Sequence, residues 1–523
     1  MTTETAWAPL RVTAFRSLWL ALLASNIGTW MQTVGAQWLL VEESGSDTLV
    51  AVVQTASTLP IVLLALPAGA LADTFDRRRL LLGVQVFLTA VGVLLTALTV
   101  TDHMPPELLL TLTFVLGAGQ AVTAPTWQSV IPELVPRPQL PQASALGAIS
   151  MNLARAVGPA VAGLLIARAG TGVVFGLNTL SFAVFALVLF RWRPASTGNG
   201  DAPERFAAAV RSGSRYVRHS PVVRRILLRA GLFLIPGSAL WALLPLVASR
   251  RLGLGSGGYG VLLAAVGIGA VFGALLLPRL RARWSLNRLL LIAGVTFTAV
   301  LLLLVAVPSE AAVVVVLLPA GVAWVMVLSS VNASMQLFLP NWVRARGLAV
   351  YQIVFAGAQA AGALVWGVLS DLWGLGPTHV IAAGLMLAGT VTLRWWPLRD
   401  TSGMNRDPAV FWPEPHLTLD PSDRDGPVLI TARYAVAASR AEAFVEAMER
   451  VRLSRLRTGA VRWGLFRDGE APGVFVEAYV VPSWGEHVRQ HEGRLTGSDQ
   501  EAEERAVALA EGPADVSHLL SAR

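Results

Sequence analysis

The sequence predicts an all-α membrane protein that crosses the bilayer many times and ends in a small α+β domain. Of the 523 residues, 54% are hydrophobic and only 14% are charged, and the mean hydropathy of +0.58 is far above that of a soluble protein. Long apolar segments recur as far as Trp396, each close to the roughly 20 residues that a spanning helix needs. Beyond Leu398 the hydrophobic character falls and shorter, alternating segments begin.

About twelve apolar segments have the length of a spanning helix. They cover residues 16–41, 49–72, 80–101, 108–127, 145–166, 173–190, 226–248, 258–277, 289–307, 311–337, 348–370 and 379–396. Arginine-rich connections alternate along the chain with acidic ones, and the exceptions are Arg168, Arg250 and Arg251. Because arginine-rich loops stay on the cytoplasmic side, an even number of spans predicts that both termini are cytoplasmic.

Composition and motifs argue against several kinds of site. The chain has no cysteine, which excludes disulfides, thiolate metal sites and cysteine nucleophiles. The motif G-x-x-x-x-G-K-[ST] is absent, so we expect no direct use of ATP. The net charge of +8 comes from arginines at helix ends and in loops, and we attribute it to topology and anionic lipid rather than to nucleic acid. We expect no cofactor, no metal and no enzymatic activity.

Two polar stretches divide the chain into predicted domains. Residues 194–222 are basic, contain Pro, Gly, Ser and Asn, and look like a cytoplasmic linker between six-helix halves at 1–193 and 223–397. Residues 398–426 are rich in Pro, Asp and Gly and form a second linker before a cytoplasmic domain at 427–523.

The two halves share a weak internal repeat. Gly69, Asp73 and Arg77 return at a shift of 204 residues as Gly273, Leu277 and Arg281, and Thr126, Gln128 and Pro132 return at a shift of 208 as Ser334, Gln336 and Pro340. Matches in corresponding places of two halves are typical of a transporter that arose by internal duplication.

A charged turn lies between the second and third spans, with the sequence Gly-Ala-Leu-Ala-Asp-Thr-Phe-Asp-Arg-Arg-Arg at residues 69–79. Its glycine allows two helices to approach closely, and its first aspartate can cap a helix end or pair with an arginine. The spacing resembles the loop between helices 2 and 3 of the major facilitator superfamily, where a glycine, an aspartate and a basic pair form an inner-gate latch. Thr74 and Asp76 depart from the family pattern. The resemblance implies gating roles for Gly69, Asp73, Arg77 and Arg78.

This resemblance implies a twelve-helix major facilitator fold in two six-helix pseudo-repeats, in a bacterial cytoplasmic membrane. It also implies secondary active transport by alternating access. The fifth span carries Gly158, Pro159 and Gly163 at the spacing of the helix-5 motif of proton-linked drug antiporters in this superfamily. Export of a small amphipathic molecule, drug-like or siderophore-like, in exchange for protons is thus implied, with Gly158, Pro159 and Gly163 in gating. From the residues alone, a tightly packed helix with no bearing on direction stays open.

Polar side chains follow one face of the first span. Asn26, Trp30, Thr33 and Gln37 have the spacing i, i+4, i+7 and i+11 of one helix face. Amides inside a bilayer must hydrogen-bond to another helix or to a ligand. Helices 1, 4, 7 and 10 line the cavity in this superfamily, and we expect a substrate cavity formed by Asn26, Trp30, Thr33, Gln37, Gln120, Trp127, Asn152, Arg155, Trp241, Asn332, Gln336, Gln352 and Gln359. For each glutamine, a bond between helices is an equal alternative.

Arg155 lies near the middle of the fifth span, one turn after Asn152. A central arginine costs roughly 2.5 to 3.5 kcal/mol on insertion scales, so it must face the bundle interior or a wet cavity. Two functional roles are open, an anchor for anionic substrate groups and a switch in the coupling network, beside a purely structural ion pair. No span has a carboxylate near its centre, and Asp73, Asp76 or Asp371 at helix ends would have to carry the proton.

The C-terminal region predicts strand, helix, strand, strand and helix at residues 428–436, 440–456, 460–467, 473–481 and 484–494. This order is ferredoxin-like. The segment at residues 484–492 resembles the C-terminal appendage of a bacterial transporter family related to the enterobactin exporter. That appendage is similar to α+β barrel monooxygenase-like domains, which usually dimerise. His487 and His491 have the i, i+4 spacing of metal ligands, but without a nearby third ligand we expect a surface or dimer contact.

Three interpretations compete. The first is the exporter described above, with a small molecule, the lipid bilayer and protons as partners and with dimerisation through the C-terminal domain. The second is a membrane-anchored enzyme or sensor that works through residues 427–523, but an anchor has no reason to bury amides and an arginine. The third is an importer of the same fold, which only the helix-5 resemblance disfavours.

Overall fold

The structure is a computed structural model that describes residues 7–43, 45–193, 206–399, 401, 403–407, 409 and 418–522. Residues 194–205 of the first predicted linker and 410–417 of the second lie outside the described residues. The chain divides into two compact units. Unit 1 comprises Met1–Pro203, Leu227–Asn332 and Gln352–Pro397, and unit 2 comprises Glu204–Ile226, Ala333–Tyr351 and Leu398–Arg523. The domain boundaries drawn from the sequence stay a prediction.

Long helices dominate unit 1, and each coincides with one predicted span. The first series is α1 (Thr13–Glu43), α2 (Asp47–Thr74), α3 (Arg77–Val100), α4 (Pro106–Leu134), α5 (Leu140–Ala169) and α6 (Thr171–Arg191). A short helix, α7 (Phe206–His219), belongs to unit 2. The second series is α8 (Pro221–Leu246), α9 (Ser256–Arg283), α10 (Leu286–Ala306), α11 (Glu310–Phe338), α12 (Asn341–Trp373) and α13 (Leu375–Val391). One end each of α8, α11 and α12 belongs to unit 2.

Within the described residues, eleven helices are long and apolar enough to cross a membrane, one fewer than the sequence predicted. The difference is α1. With 31 residues it is long enough to span a bilayer at about 1.5 Å of rise per residue. Asn, Trp, Thr and Gln side chains along α1 lower its hydropathy, which explains why it is not among the eleven.

Local sequence sets the helix ends. The Asp76 carboxylate accepts a hydrogen bond of 2.7 Å from the backbone N–H of Arg79 and caps the start of α3. The turns before α6 and α13 contain Gly170 and Gly374, with φ of 80° and 81°, a conformation that glycine adopts at least cost. The long helices begin and end within about seven residues of the predicted boundaries, and the largest differences are at the end of α4 and the start of α12.

The first and second series meet along α5 and α9, which pack against each other over much of their length. Within the first series, α1 packs along α5 and α6, and α2 packs along α4. An apolar cluster that includes Phe15, Trp127 and Phe185 joins α1, α4 and α6. Helix packing, rather than a central apolar core, thus positions the polar face of α1.

The C-terminal part of unit 2 is a four-stranded antiparallel sheet covered by helices on one face. Its elements are β1 (Val428–Ala435), α14 (Ala441–Thr458), β2 (Arg462–Arg467), β3 (Val474–Val481), α15 (Trp484–Arg489), α16 (Gly497–Val507) and β4 (Asp515–Leu520). The strand order is β2-β3-β1-β4, and β1 is central, pairing Val428 with Val481 of β3 and Leu520 of β4. The ferredoxin-like prediction is therefore confirmed, with α16 and β4 as the elements that the sequence analysis missed.

A buried ion-pair network lies between the sheet and α14. Glu477 is fully buried, and it accepts hydrogen bonds from Arg455 Nε at 3.3 Å, Trp463 Nε1 at 2.8 Å and the Tyr434 hydroxyl at 3.3 Å. Arg455 also binds Glu503 on α16 at 2.8 Å. The charge of the buried carboxylate is compensated, as stable burial requires.

Candidate functional site

The polar face of α1 binds two neighbouring helices. The Asn26 amide donates to the Ser150 hydroxyl on α5 at 3.0 Å, and Gln120 on α4 donates to the Thr29 hydroxyl at 3.2 Å. Thr33 donates to the carbonyl of Thr29 in its own helix at 3.1 Å. These bonds correspond to the alternative of polar bonding between helices that the sequence left open.

Gln37, one turn further along α1, joins the first helix series to the second. Its side-chain N–H donates to the Trp241 carbonyl on α8 at 3.2 Å, and its side-chain carbonyl accepts from the Tyr259 hydroxyl on α9 at 2.7 Å. The Trp38 ring stacks on the Tyr259 ring with centroids 5.9 Å apart. Gln37 is only 3% exposed, so its amide is used in a dry contact between the series.

At the middle of the bundle Arg155 lies over the ring of Trp30, which in turn packs on Trp241. Its guanidinium carbon lies 5.4 Å from the centroid of the Trp30 ring, and the Trp30 ring lies 6.1 Å from that of Trp241. The Arg155 Nε is buried, and among the described residues no side chain or carbonyl accepts a hydrogen bond from it. The structure thus brings together three predicted site residues from α1, α5 and α8, and a cation–π contact is what holds the charge.

An aromatic row continues from this point into the second series. Trp241 packs on Trp324 of α11 with centroids 5.3 Å apart, and Trp324 packs on Phe233 at 5.7 Å and Phe297 at 5.9 Å. The sequence did not single out Trp324 or the two phenylalanines, because single aromatic residues in apolar segments have no distinctive spacing.

The small residues of α5 permit its close packing. A methyl group built on Gly158 would lie 2.7 Å from Cβ of Trp30, and one built on Gly163 would lie 2.6 Å from Cα of Gly260 on α9. Pro159 is buried between them. The predicted helix-5 residues therefore contact both the Trp30 segment of α1 and the second series.

The predicted gate residues Arg77 and Arg78 bind within the first series. Arg77 forms an ion pair of 2.6 Å with Glu133 on α4, and Arg78 donates to the last carbonyls of α6, those of Leu189 at 3.0 Å and Phe190 at 2.7 Å. Gly69 and Asp73 belong to the end of α2, and their surroundings lie outside the described part of the chain. Of the predicted latch, the two arginines therefore tie α3 to α4 and α6.

The internal repeat has a structural counterpart here. Arg281 on α9 donates to the Ser330 hydroxyl on α11 at 3.2 Å. The sequence repeat aligns Arg281 with Arg77, and both arginines bind the fourth helix of their own series. This correspondence is a physical reason for the basic residue at both places.

The remaining predicted cavity residues belong to α4, α5, α11 and α12. Trp127 is 5% exposed within the apolar cluster, where its ring contacts Phe185 with centroids 6.3 Å apart. On α12, Gln359 is buried and Gln352 exposed; on α11, Asn332 is half-buried in unit 1 and Gln336 is exposed in unit 2. Asn152 belongs to α5, but its side chain lies outside the described residues. Packing against Phe185 therefore assigns Trp127 to the apolar cluster.

A polar cluster lies at the end of the bundle where α2 begins, here called the Asp47 end. The sequence singled out Asp371 as a candidate proton carrier but did not predict its contacts with α2. Asp371 of α12 accepts from the backbone N–H groups of Asp47 at 2.7 Å and Thr48 at 3.0 Å and from the Ser46 hydroxyl at 3.0 Å. Asp47 itself pairs with Arg250 and accepts from Ser370 at 2.5 Å. A carboxylate from the second series thus caps a helix of the first. The Ser-Asp pair at the start of α2 is a capping signal that the sequence offered.

Arg229 on α8 is a second missed charge. It is 5% exposed and donates to the carbonyls of Gly389 at 2.9 Å, Thr392 at 2.8 Å and Trp396 at 2.6 Å. These carbonyls end α13 and the turn after it, where helix geometry leaves acceptors free and the dipole favours a cation.

Three histidines cluster in the C-terminal domain. The His487 ring lies 4.7 Å from that of His491 and 5.0 Å from that of His518. Burial lowers the pKa of His487 to about 3, with the charges of His518 and Arg455 adding to the effect, and burial next to His487 lowers the pKa of His491 to about 2. At neutral pH these rings are uncharged. Within the described residues, no group of three or more His, Cys, Asp or Glu side chains has the arrangement to hold a metal ion.

Known proteins share this fold and this sequence pattern. A staphyloferrin A transporter of Staphylococcus aureus is 24% identical over 263 residues, 48% of this chain and 64% of that protein. The multidrug efflux pump Tap of Mycolicibacterium fortuitum is 26% identical over 417 residues, 75% of this chain and 96% of the pump.

Among solved structures, a bacterial homologue of the human lysosomal transporter Spinster, inward-facing and unoccupied, is 15% identical with a TM-score of 0.58, and the match covers 74% of this chain and 95% of that one. The fold is therefore that of major facilitator transporters. The sequence profile of the Transmembrane secretion effector family matches residues 4–523, and the chain belongs to that family of the major facilitator superfamily.

Proposed function

We propose that this chain is a secondary active transporter that exports a small amphipathic molecule by alternating access in exchange for protons. The observation that carries the proposal is the set of contacts between the two helix series, at Gln37 with Trp241 and Tyr259 and at Asp371 with the start of α2. They run from the middle of the bundle to the Asp47 end. Contacts of this kind, polar and specific, are suited to closing one side of a carrier and opening again.

The substrate class follows from the chemistry at the middle of the bundle. Trp30 and Trp241 offer apolar aromatic faces, and Arg155 adds a cation that the described residues leave without an acceptor at Nε. A molecule with an apolar body and polar or weakly anionic groups fits such surroundings. The names of the relatives, a multidrug efflux pump and a siderophore transporter, support a drug-like or siderophore-like substrate and export as the direction.

Protons are the proposed coupling ion. In the described parts of the spanning helices the carboxylates lie at helix ends, and Asp371 with Asp47 is the pair that bridges the two series. Neutralising Asp371 would weaken its hold on the start of α2, because a neutral acid stabilises a helix N-terminus less than an anion does. Proton binding would then favour opening of the Asp47 end.

The proposed orientation puts both termini in the cytoplasm, as the arginine distribution along the chain predicts. The Asp47 end then faces outward. We further propose that the domain from residue 427 dimerises. The sheet face away from α14 carries Phe466 and Leu519, 59% and 52% exposed, with half-buried Val476 and Val480 between them. A second copy of this face is the occupant we propose, since an apolar sheet face is stable when another sheet covers it.

Export is tested in a host that lacks its own efflux pumps. Cells with the chain are compared with cells without it for drug susceptibility and for accumulation of fluorescent amphipathic compounds, with and without a protonophore. We expect lower accumulation that returns to the control level when the proton gradient collapses. Equal accumulation in both hosts for the whole compound set would contradict the export proposal, and export that survives the protonophore would contradict proton coupling alone.

Arg155 supplies a matched set of variants. Arg155→Ala removes the charge at the middle of α5, and Arg155→Lys keeps it; Arg168→Ala removes an exposed arginine from the last turn of the same helix. We expect Arg155→Ala to lose at least 90% of export at unchanged expression, while Arg168→Ala keeps it. Normal export by Arg155→Ala would remove Arg155 from the mechanism.

A further inference from the structure

The C-terminal domain binds α7 and the connection between α11 and α12, and all three belong to unit 2. Helix α7 packs along α14 of the domain. The end of α11, the connection and the start of α12 make up Ala333–Tyr351 of this unit, whereas the rest of α11 and α12 belongs to unit 1. Because this segment is continuous with α11 and α12, a contact that restrains it also restrains the ends of two spanning helices.

Trp342, in the first turn of α12, is the centre of the contact. Its ring meets the ring of Tyr216 on α7 edge-on, with centroids 5.7 Å apart and planes at 83°. The guanidinium of Arg494 from the domain lies over the ring of Trp342, 4.9 Å from the centroid. Tyr216 and Arg494 are 3% and 5% exposed. One side chain of α12 is thus enclosed between α7 and the domain.

An ion-pair cluster holds Arg494 in this position. Arg494 donates to Glu486 at 2.7 Å and to the Thr458 carbonyl at the end of α14 at 2.9 Å. Glu486 also pairs with Arg215 of α7 at 3.7 Å and with Arg489 at 3.1 Å. The carboxylate therefore connects α7 to the same arginine that covers Trp342.

Two further contacts complete the attachment. Arg406 donates to the Leu337 carbonyl at the end of α11 at 2.6 Å, and its guanidinium lies 4.3 Å from the centroid of the Phe338 ring. The neighbouring Asn405 accepts from the backbone of Ser498 in α16 at 2.8 Å. On the other side, a methyl group built on Gly213 of α7 would lie 2.8 Å from Cβ of Arg346 on α12.

We propose that the domain is an intramolecular brake on transport: its Glu486 and Arg494 hold Trp342 against α7 and so restrain the α11–α12 connection. The inference rests on the proposed transport function. Alternating access requires spanning helices to move, and a segment enclosed by an aromatic, a cation–π and an ion-pair contact moves less readily. Removing the contact should release the restraint and raise the maximal export rate.

Four variants of the full-length chain test the brake. Arg494→Gln removes the charge over Trp342, and Trp342→Ala removes the ring. Arg494→Lys keeps the ion pair with Glu486. Arg452→Gln is the control, because the side chain of Arg452 is 38% exposed and pairs with Glu449 of its own helix. In Arg494→Gln and Trp342→Ala we expect hydrogen exchange in residues 333–351 to be at least tenfold faster and maximal export to be at least threefold higher. Arg452→Gln should keep the wild-type values of both, and Arg494→Lys should give intermediate values.

A covalent substitute for the contact makes the test reversible. Since the chain has no cysteine, Gly213→Cys with Arg346→Cys introduces its sole pair of thiols. Their Cβ atoms would lie 2.8 Å apart, below the about 3.5–4.5 Å of a disulfide, so α7 and α12 must separate slightly for the bond to form. In the Arg494→Gln background, oxidation should return export to the wild-type rate and reduction should release it again; either single-cysteine chain should not respond.

Three outcomes would overturn the brake: exchange in residues 333–351 that stays at the wild-type rate in both variants, faster exchange with unchanged or lower export, or a disulfide that leaves the export rate of Arg494→Gln unchanged. Failure of the wild-type chain to export any compound would instead contradict the proposed transport function. The exchange measurement still reports on the contact in that case.

Discussion

The hydroxyl of Tyr259 on α9 donates a hydrogen bond of 2.7 Å to the side-chain carbonyl of Gln37 on α1. Both residues are almost fully buried, and the same glutamine donates to the Trp241 carbonyl on α8. A single amide is thus satisfied on both sides by the opposite helix series. Any state in which the Asp47 end opens must break these bonds and hydrate the amide.

We expect Tyr259→Phe to favour the state that is open at the Asp47 end. Loss of one buried hydrogen bond, with the Gln37 carbonyl left unsatisfied, costs about 1–3 kcal/mol in the closed state, which is roughly a fivefold or larger shift in population. The measurement is the labelling rate of Thr33→Cys by a membrane-impermeant maleimide, in a chain that has no other thiol.

Tyr479→Phe is the matched control, because the described residues offer its buried hydroxyl no hydrogen-bond partner in the C-terminal domain. It should leave the labelling rate of Thr33→Cys unchanged. Equal labelling in the Tyr259→Phe and wild-type backgrounds would mean that the bond does not help to close this end.

The contact between α5 and α9 should not tolerate a single methyl group. A Cβ at residue 163 would lie 2.6 Å from Cα of Gly260, and backbone atoms cannot rotate away as a side chain can. We expect Gly163→Ala to destabilise the protein by about 1–3 kcal/mol and to reduce export. Thermal unfolding in detergent measures the first effect. Gly384→Ala on α13, where a Cβ meets open space, should have neither effect, and equal melting of the two variants would contradict the close contact.

Asp371 should matter through its charge as well as its hydrogen bonds. It accepts from three donors around the start of α2. Asp371→Asn keeps an acceptor but loses the anion, so we expect the free energy of unfolding to fall by about 0.3–1 kcal/mol. Asp371→Ala loses the cap as well, and the free energy of unfolding should fall by about 0.5–2 kcal/mol. Unfolding temperatures rank the variants. Glu310→Gln, an exposed carboxylate in the first turn of α11, is the control, and a ranking in which it equals Asp371→Ala would exclude the capping role.

The histidine cluster makes the C-terminal domain sensitive to acid. Burial lowers the pKa of His487 to about 3, so the folded domain stays unprotonated there while the unfolded chain binds a proton below about pH 6.5. The unfolded state gains protons first, and folding stability must fall as the pH drops from 6.5, by up to about 1.4 kcal/mol per pH unit for this histidine.

Hydrogen exchange of β1 to β4 in the full-length chain between pH 7 and 5, corrected for intrinsic exchange rates, measures this slope. His487→Gln should reduce the slope, because glutamine does not titrate. A slope that is unchanged in His487→Gln would assign the acid sensitivity to other groups.

Arg455 should be among the least replaceable residues of the domain. Arg455→Met leaves Glu477 buried without its cation, and we expect the free energy of unfolding of the domain to fall by about 3–5 kcal/mol. The double variant Arg455→Met with Glu477→Gln should recover part of the loss, because a neutral amide needs no counter-charge. The stability of both variants is measured by thermal unfolding of the full-length chain, monitored through hydrogen exchange in β3. A double variant less stable than the single one would contradict the pairing.

The sequence predicted the helices well because spanning segments are set by one simple requirement, about 20 apolar residues with polar ends. It also singled out Trp30, Arg155 and Trp241, since a polar or aromatic residue inside an apolar span is rare enough to be noticed; their role in a site stays a prediction. The count of apolar spans differed at α1, where the same polar residues that indicated a site lowered the hydropathy. In the C-terminal domain, α16 and β4 were missed because neither has a strong apolar period.

Contacts between segments that are far apart in the chain could not be predicted from the sequence. Trp127 was predicted to line the cavity, but its ring packs against Phe185 in an apolar cluster. Asp371 and the start of α2 are more than 300 residues apart, and their contact depends on how two helix series meet. The attachment of Trp342 to Arg494 was missed for the same reason: it joins a spanning helix to a domain that the sequence presents as separate.

Arg229 has a consequence for how the chain is made. Its guanidinium is buried on α8, yet the carbonyls that satisfy it come from the last turn of α13 and the residues just after it, which leave the ribosome much later. Until α13 is inserted, the nascent protein lacks these three carbonyl acceptors of Arg229. The native surroundings of Arg229 on α8 are therefore complete only after the last span has been synthesised.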